Sequence, residues 1–124
     1  MLTNQIEYHA YIRQDKIIVA CAKHGLLVTC HVPLGRGVVL KDPVIRNVAN
    51  SHGKTAAQVA LKWLLQQPNM VVVPRALEYS EIKENIDIFD FELSENEIIK
   101  ISGLRDRNLR IVDPVVRRPV WDEG

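Results

Sequence analysis

An α/β fold built on a parallel sheet is predicted by three strand–helix units that follow one another along the chain. Each unit opens with an extended apolar or alternating run, continues with helical periodicity and ends in turn residues. Strands alternating with helices in this way pair in parallel through right-handed crossovers. The 124 residues, 47% apolar and 25% charged, suffice for one domain with its own core.

The first strand is expected over Thr3–Tyr8, with Ile6 and Tyr8 on one face and Gln5 and Glu7 on the other. A helix follows from about Arg13 to His24. Its apolar positions Ile17, Ile18, Cys21 and Ala22 recur at helical spacing, and Gly25 stands where a C-terminal cap belongs. Leu26–Cys30 is a continuous apolar run, suited to a strand buried on both faces. The loop Pro33-Leu34-Gly35-Arg36-Gly37 interrupts it. Asp42–Ser51 reads as a short helix with Asp42 as cap, Pro43 in its first position and Gly53 past its end. Thr55 and Gln58 form a capping box for a longer helix whose core face is Val59, Ala60, Trp63 and Leu64. The third unit is a strand at Met70–Val73 and a helix from about Ser80 to Phe89. Ser94–Glu97 is a second capping box, for a helix ending near Gly103. The tail, Leu104–Gly124, has no period and is expected to lie extended over the rest.

Several function classes fall away on composition. A net charge of +1 gives no electrostatic case for nucleic acid or an anionic membrane. The basic spots Arg105–Arg110 and Arg117–Arg118 read as solvated surface. Cys21 and Cys30 lack the spacing of a zinc site or redox pair and read as buried reduced thiols. No run of about 18 apolar residues suggests a membrane span, and the N-terminus does not resemble a signal peptide. A cytoplasmic location is expected.

The working edge of a parallel sheet is the C-terminal edge of its strands. Gln5–His9, His31–Gly37 and Pro74–Tyr79 would share that rim. Pro74 ends its strand, and Arg75 then stands before a helix N-terminus, an arrangement that suits a phosphate. A solvated surface arginine fits the same spacing equally well. His31 and His9 read as structural or ring-stacking groups, since spacing gives neither a carboxylate to orient it. His24 reads as a helix C-terminal cation. No histidine–carboxylate set has metal spacing.

Several segments together resemble the aldo-keto reductases. They are Asn4-Gln5-Ile6-Glu7-Tyr8-His9 (with Ala10 where a proline is usual), Pro33-Leu34-Gly35, Lys54–Trp63, Ile82-Lys83-Glu84-Asn85 and Phe89–Ser94. The tail motifs Arg110–Pro114 and Pro119–Asp122 are similar to those of diketogluconate reductase-like bacterial members. The resemblance implies a partial (β/α)8 TIM barrel, residues 1–124 forming its last three units with a tail at 104–124. It implies no catalytic residue here, because the family's catalytic Asp, Tyr, Lys and His lie in the barrel's first half.

What the resemblance does imply is part of a nicotinamide cofactor site. Gln5 would meet the carboxamide, His31 would stack on the nicotinamide ring, and Leu34 and Gly35 would line the pyrophosphate passage. Pro74 and Arg75 would stand at the adenosine 2′-phosphate, with Glu84 and Asn85 at the adenine. NADP(H) is the implied cofactor. Ala76 lacks the expected hydroxyl, and Glu81 replaces an expected arginine, a change that disfavours a 2′-phosphate and admits NAD(H). Three strands taken from a barrel also leave two open edges and an uncovered apolar inner face. The partners expected are therefore the cofactor and a complementary N-terminal half or a second copy. A non-catalytic remnant and a partner-binding half-barrel are the alternatives.

Overall fold

The computed structural model of the chain describes residues 3–72 and 79–109. Three strands, β1 (Thr3–Glu7), β2 (Leu27–His31) and β3 (Met70–Val72), form one parallel sheet in the order β1-β2-β3. Thr3 pairs with Leu27 and Glu7 with His31; Val28 pairs with Met70 and Cys30 with Val72. Helix α1 (Asp15–Lys23) connects the first two strands. Helices α2 (Pro43–His52) and α3 (Ala56–Leu65) connect the second and third. Helices α4 (Tyr79–Ile86) and α5 (Glu95–Gly103) follow, and Leu104–Arg107 make a 3-10 turn.

The local signals read from the sequence act as expected. Asp42 caps α2 by accepting from the N–H groups of Val44 and Ile45. Gly53 ends that helix at φ +64°, a backbone state glycine takes without steric cost. Reciprocal capping boxes open α3 (Thr55 with Gln58) and α5 (Ser94 with Glu97). Free N–H groups that would otherwise be orphaned at these ends are thereby satisfied.

Strand alternation sends Asn4, Ile6, Val28, Cys30, Met70 and Val72 to one face. The bond from Asn4 Nδ2 to Cys21 Sγ identifies that face as the one packed on the helices. Ile6, Val28 and Cys30 join Cys21, Val59, Ala60, Trp63 and Leu64 in the core. Both cysteines are free and buried, and burial pushes the Cys30 thiol up to about 12. Helix α3 is buried from Ala57 through Leu64, including Gln58 and Lys62. A helix enclosed on all sides has lost its solvent face.

Several expectations need correction. The opposite sheet face carries Thr3, Gln5, Glu7, Leu27, Thr29, His31 and Val71, of which Glu7 alone is buried and five are polar. It is therefore not an uncovered apolar surface. Glu7 does not share the exposure of Gln5: it is 8% exposed, because His9 reaches back to bond it. Helix α4 ends at Ile86 rather than Phe89, as the buried Ile88 draws the chain into the core and leaves Phe89 exposed. Arg105 is not solvated surface. Its guanidinium donates to Tyr8 Oη at 3.0 Å, meets Asp15 at 3.3 Å and lies over the Trp63 ring. The described start of the tail is likewise a turn held by Leu109 N–H on Tyr11 O at 2.7 Å.

Candidate nucleotide site

The rim begins where β1 and β2 end. Gln5 and His31 lie on the same sheet face two register positions apart, and Gln5 Nε2 donates to His31 Nδ1 at 3.4 Å. Both side chains are exposed. That bond uses one of the two amide donors of Gln5, so a second donor and the carbonyl oxygen remain for a ligand. Beside them, the Thr3 and Thr29 hydroxyls are joined by a hydrogen bond. The sequence places both residues along one rim; the shared face and the diagonal bond depend on register.

The loop after β2 is tightly wound. Val32 sits at φ +56°, an uncommon and costly state for a β-branched residue, on the order of 1–3 kcal/mol. Gly35 follows at φ +57°, its N–H bonded to Val32 O at 2.9 Å. A Cβ on Gly35 would stand 3.1 Å from Val39 Cγ2 and 3.7 Å from the His9 ring. Glycine is therefore favoured by conformation and by the tight space beside Val39. Leu34 is half-buried and packs on the core.

His9 underpins this loop. It is fully buried; its Nδ1 accepts from Tyr11 N–H at 3.1 Å, so its proton sits on Nε2 and meets Glu7 Oε2 at 2.8 Å. Spacing alone does not reveal this carboxylate, because alternation only sets Glu7 on the strand face opposite Ile6 and Tyr8. With both ring nitrogens engaged, His9 is structural. His24 stands at the C-terminal end of α1, as expected. His52 is paired with Glu97 at 2.9 Å.

Glu84 and Asn85 are half-buried neighbours on α4. Glu84 lines an open cleft of about 490 Å³ together with Leu40, Arg46, Asn50, Lys54 and Ala56. Gln58 fixes the end of α4 to α3, donating to the backbone oxygens of Glu84 and Asp87 at 3.0 and 3.1 Å. The cleft was not visible in the sequence, since its walls come from three segments separated by loops. Pro74, Arg75, Ala76 and the side chain of Glu81 lie outside the described residues. Among the described residues no cluster of His, Cys, Asp and Glu has the arrangement of a metal site. No helix there is long and apolar enough to cross a membrane.

The aldo/keto reductase family model matches residues 1–106. The chain belongs to this family. An aldo-keto reductase from Mycobacterium sp. strain JLS is 40% identical over 111 residues, covering 90% of this chain and 40% of the relative. Aldose reductase B of Dictyostelium discoideum is 37% identical over 96% of this chain. Among solved structures, a putative 2,5-diketo-D-gluconic acid reductase B superposes with a TM-score of 0.91 at 40% identity. That match covers 97% of this chain and 43% of the other. A mutant of Gox0644 in complex with NADPH gives a TM-score of 0.80 at 33% identity, over 83% of this chain. The chain thus spans about 40% of the length of the curated relatives it matches.

Proposed function

We propose that this chain is the C-terminal portion of an NAD(P)H-dependent carbonyl reductase, the last three units of an eight-unit barrel with a tail. In this reading it carries much of the cofactor site and none of the catalytic tetrad. The observation that carries it is the exposed Gln5–His31 pair at the ends of two parallel strands. A nicotinamide carboxamide needs both a donor and an acceptor, and Gln5 offers both beside a flat ring. Leu34, Gly35 and the Pro74–Arg75 segment follow along the same rim, with Glu84 and Asn85 at the adenine. When bound, the reduced nicotinamide supplies hydride to a carbonyl carbon. The protonating group would come from the other barrel half. NADP(H) is the favoured cofactor by kinship with an NADPH-bound relative. The Glu81 substitution opens the site to NAD(H). Two buried reduced thiols suit the cytoplasm.

A second reading is a partner-binding half-barrel. It is favoured by the sheet order, in which β1 and β3 each pair only with β2 among the described strands. Open edges of this kind recruit another chain: a complementary half or a second copy. Fluorescence titration with NADPH and NADH, with light scattering on the same sample, separates the readings. Saturable binding that Gln5→Ala weakens and Arg75→Ala abolishes supports the cofactor site. Self-association without nucleotide binding supports the half-barrel alone.

A further inference from the structure

We propose that Arg46 is a specificity-determining residue of the nucleotide site, holding the 2′-phosphate of an adenosine. This rests on the cofactor reading above. Arg46 on α2 and Glu84 on α4 line the same cleft, and no ion pair joins them among the described residues. Arg46 Nε donates to Leu40 O at 3.2 Å, which aims the guanidinium. Its two terminal nitrogens have no partner among the described residues. A guanidinium held by its Nε presents those nitrogens as a fork matched to two phosphate oxygens.

The other cation of the cleft is already engaged. Lys54 Nζ is 2.8 Å from Asp90 and 3.6 Å from Asp87. Among the described residues of the cleft, Arg46 therefore has the free charge. Leu40, Ala49 and Ala56 add apolar wall. A ligand that suits this lining has a flat apolar body, an amine for the Glu84 carboxylate and an anion for Arg46. An adenosine bearing a 2′-phosphate has all three, whereas an adenosine with a free 2′-hydroxyl offers Arg46 no charge there.

The test uses two small probes, adenosine 2′,5′-bisphosphate and 5′-AMP, titrated calorimetrically against the protein, Arg46→Ala and Arg46→Gln. Circular dichroism verifies that both variants keep their helix content. The expected result is a wild-type preference for the bisphosphate and a loss of about tenfold or more in its affinity in either variant, with 5′-AMP unchanged. Undiminished preference for the bisphosphate in both variants overturns the role of Arg46 and leaves the nucleotide site standing. Equal loss of both probes also overturns it, since Arg46 would then only shape the cleft. Wild-type protein that binds neither probe, NADPH nor NADH overturns the nucleotide reading and this proposal with it.

Discussion

The corner that follows β1 and the rim two residues before it treat their polar groups in opposite ways. In the corner, Glu7, His9, Gln14 and Asp42 are all buried. Tyr8 donates to Gln67 at 3.0 Å and accepts from Arg105; Tyr11 donates to Asp42 at 2.5 Å; Gln14 Nε2 donates to Glu7 O. Gln14 Oε1 is the one buried side-chain atom without a partner among the described residues. On the rim, exposed Gln5 and His31 share a single long bond. Buried polar groups must be satisfied within the protein, and so they stabilise it. Exposed ones keep their capacity for something else. The corner holds the fold together, and the rim is left free to bind.

The largest effect should come from the hub of the corner. The Trp63 ring is 1% exposed, lies 5.7 Å from that of Tyr8 and sits under the Arg105 guanidinium. Its Nε1 donates to Ser102 at 3.1 Å, linking α3 to α5. Trp63→Ala should cost about 3–5 kcal/mol in denaturant unfolding. A loss below about 1 kcal/mol would mean that the corner is not where stability resides, and the comparison would collapse.

A smaller effect is expected at Tyr11, and it carries a pH signature. Burial, followed by the bond to the Asp42 carboxylate, raises its hydroxyl to about 12, against 10 in the unfolded chain. The folded state therefore favours the neutral phenol. Its contribution is complete below pH 10 and is lost as pH rises from 10 towards 12. Phenolate absorbance of the native protein should place this hydroxyl late in the titration. Tyr11→Phe should cost about 1 kcal/mol at neutral pH, since Asp42 keeps its two capping N–H donors. The variant should also lose less stability than the wild type between pH 10 and 12. An equal alkaline loss would assign that step to other groups, Cys30 and Tyr8 among them.

How far the sequence could foretell this contrast depends on range. Capping boxes at Thr55 and Ser94 were legible because donor and acceptor lie three residues apart. The strands and their parallel order were legible from apolar runs separated by helical ones. The corner was not. Glu7 alternates as a surface residue would, and only His9 folding back, with Gly35 closed over it, explains its burial. Arg105 reads as one cation in a basic stretch, yet its partner Tyr8 lies 97 residues away. The rim was half legible. Family motifs named Gln5, His31 and Glu84, but no spacing rule joins Arg46 to Glu84 across a cleft.

The smallest effect sharpens the comparison most. Gln5→Ala and His31→Ala remove exposed side chains whose mutual bond is 3.4 Å, near the limit of a useful hydrogen bond. Water replaces that bond at almost no cost, so each variant should shift unfolding stability by less than about 0.5 kcal/mol. A double variant should add nothing beyond the two singles, because little coupling energy is present to lose. Nucleotide binding should respond quite differently, with Gln5→Ala weakening NADPH and NADH alike, since both carry the same carboxamide. A stability loss above about 1.5 kcal/mol would mean that the rim is structural, like the corner. A near-neutral stability together with weakened binding would show that two groups within a few residues of each other have been separated by task. The separation follows from exposure: a hydrogen bond that solvent can replace contributes little to the fold, which leaves those donors and acceptors available to a ligand.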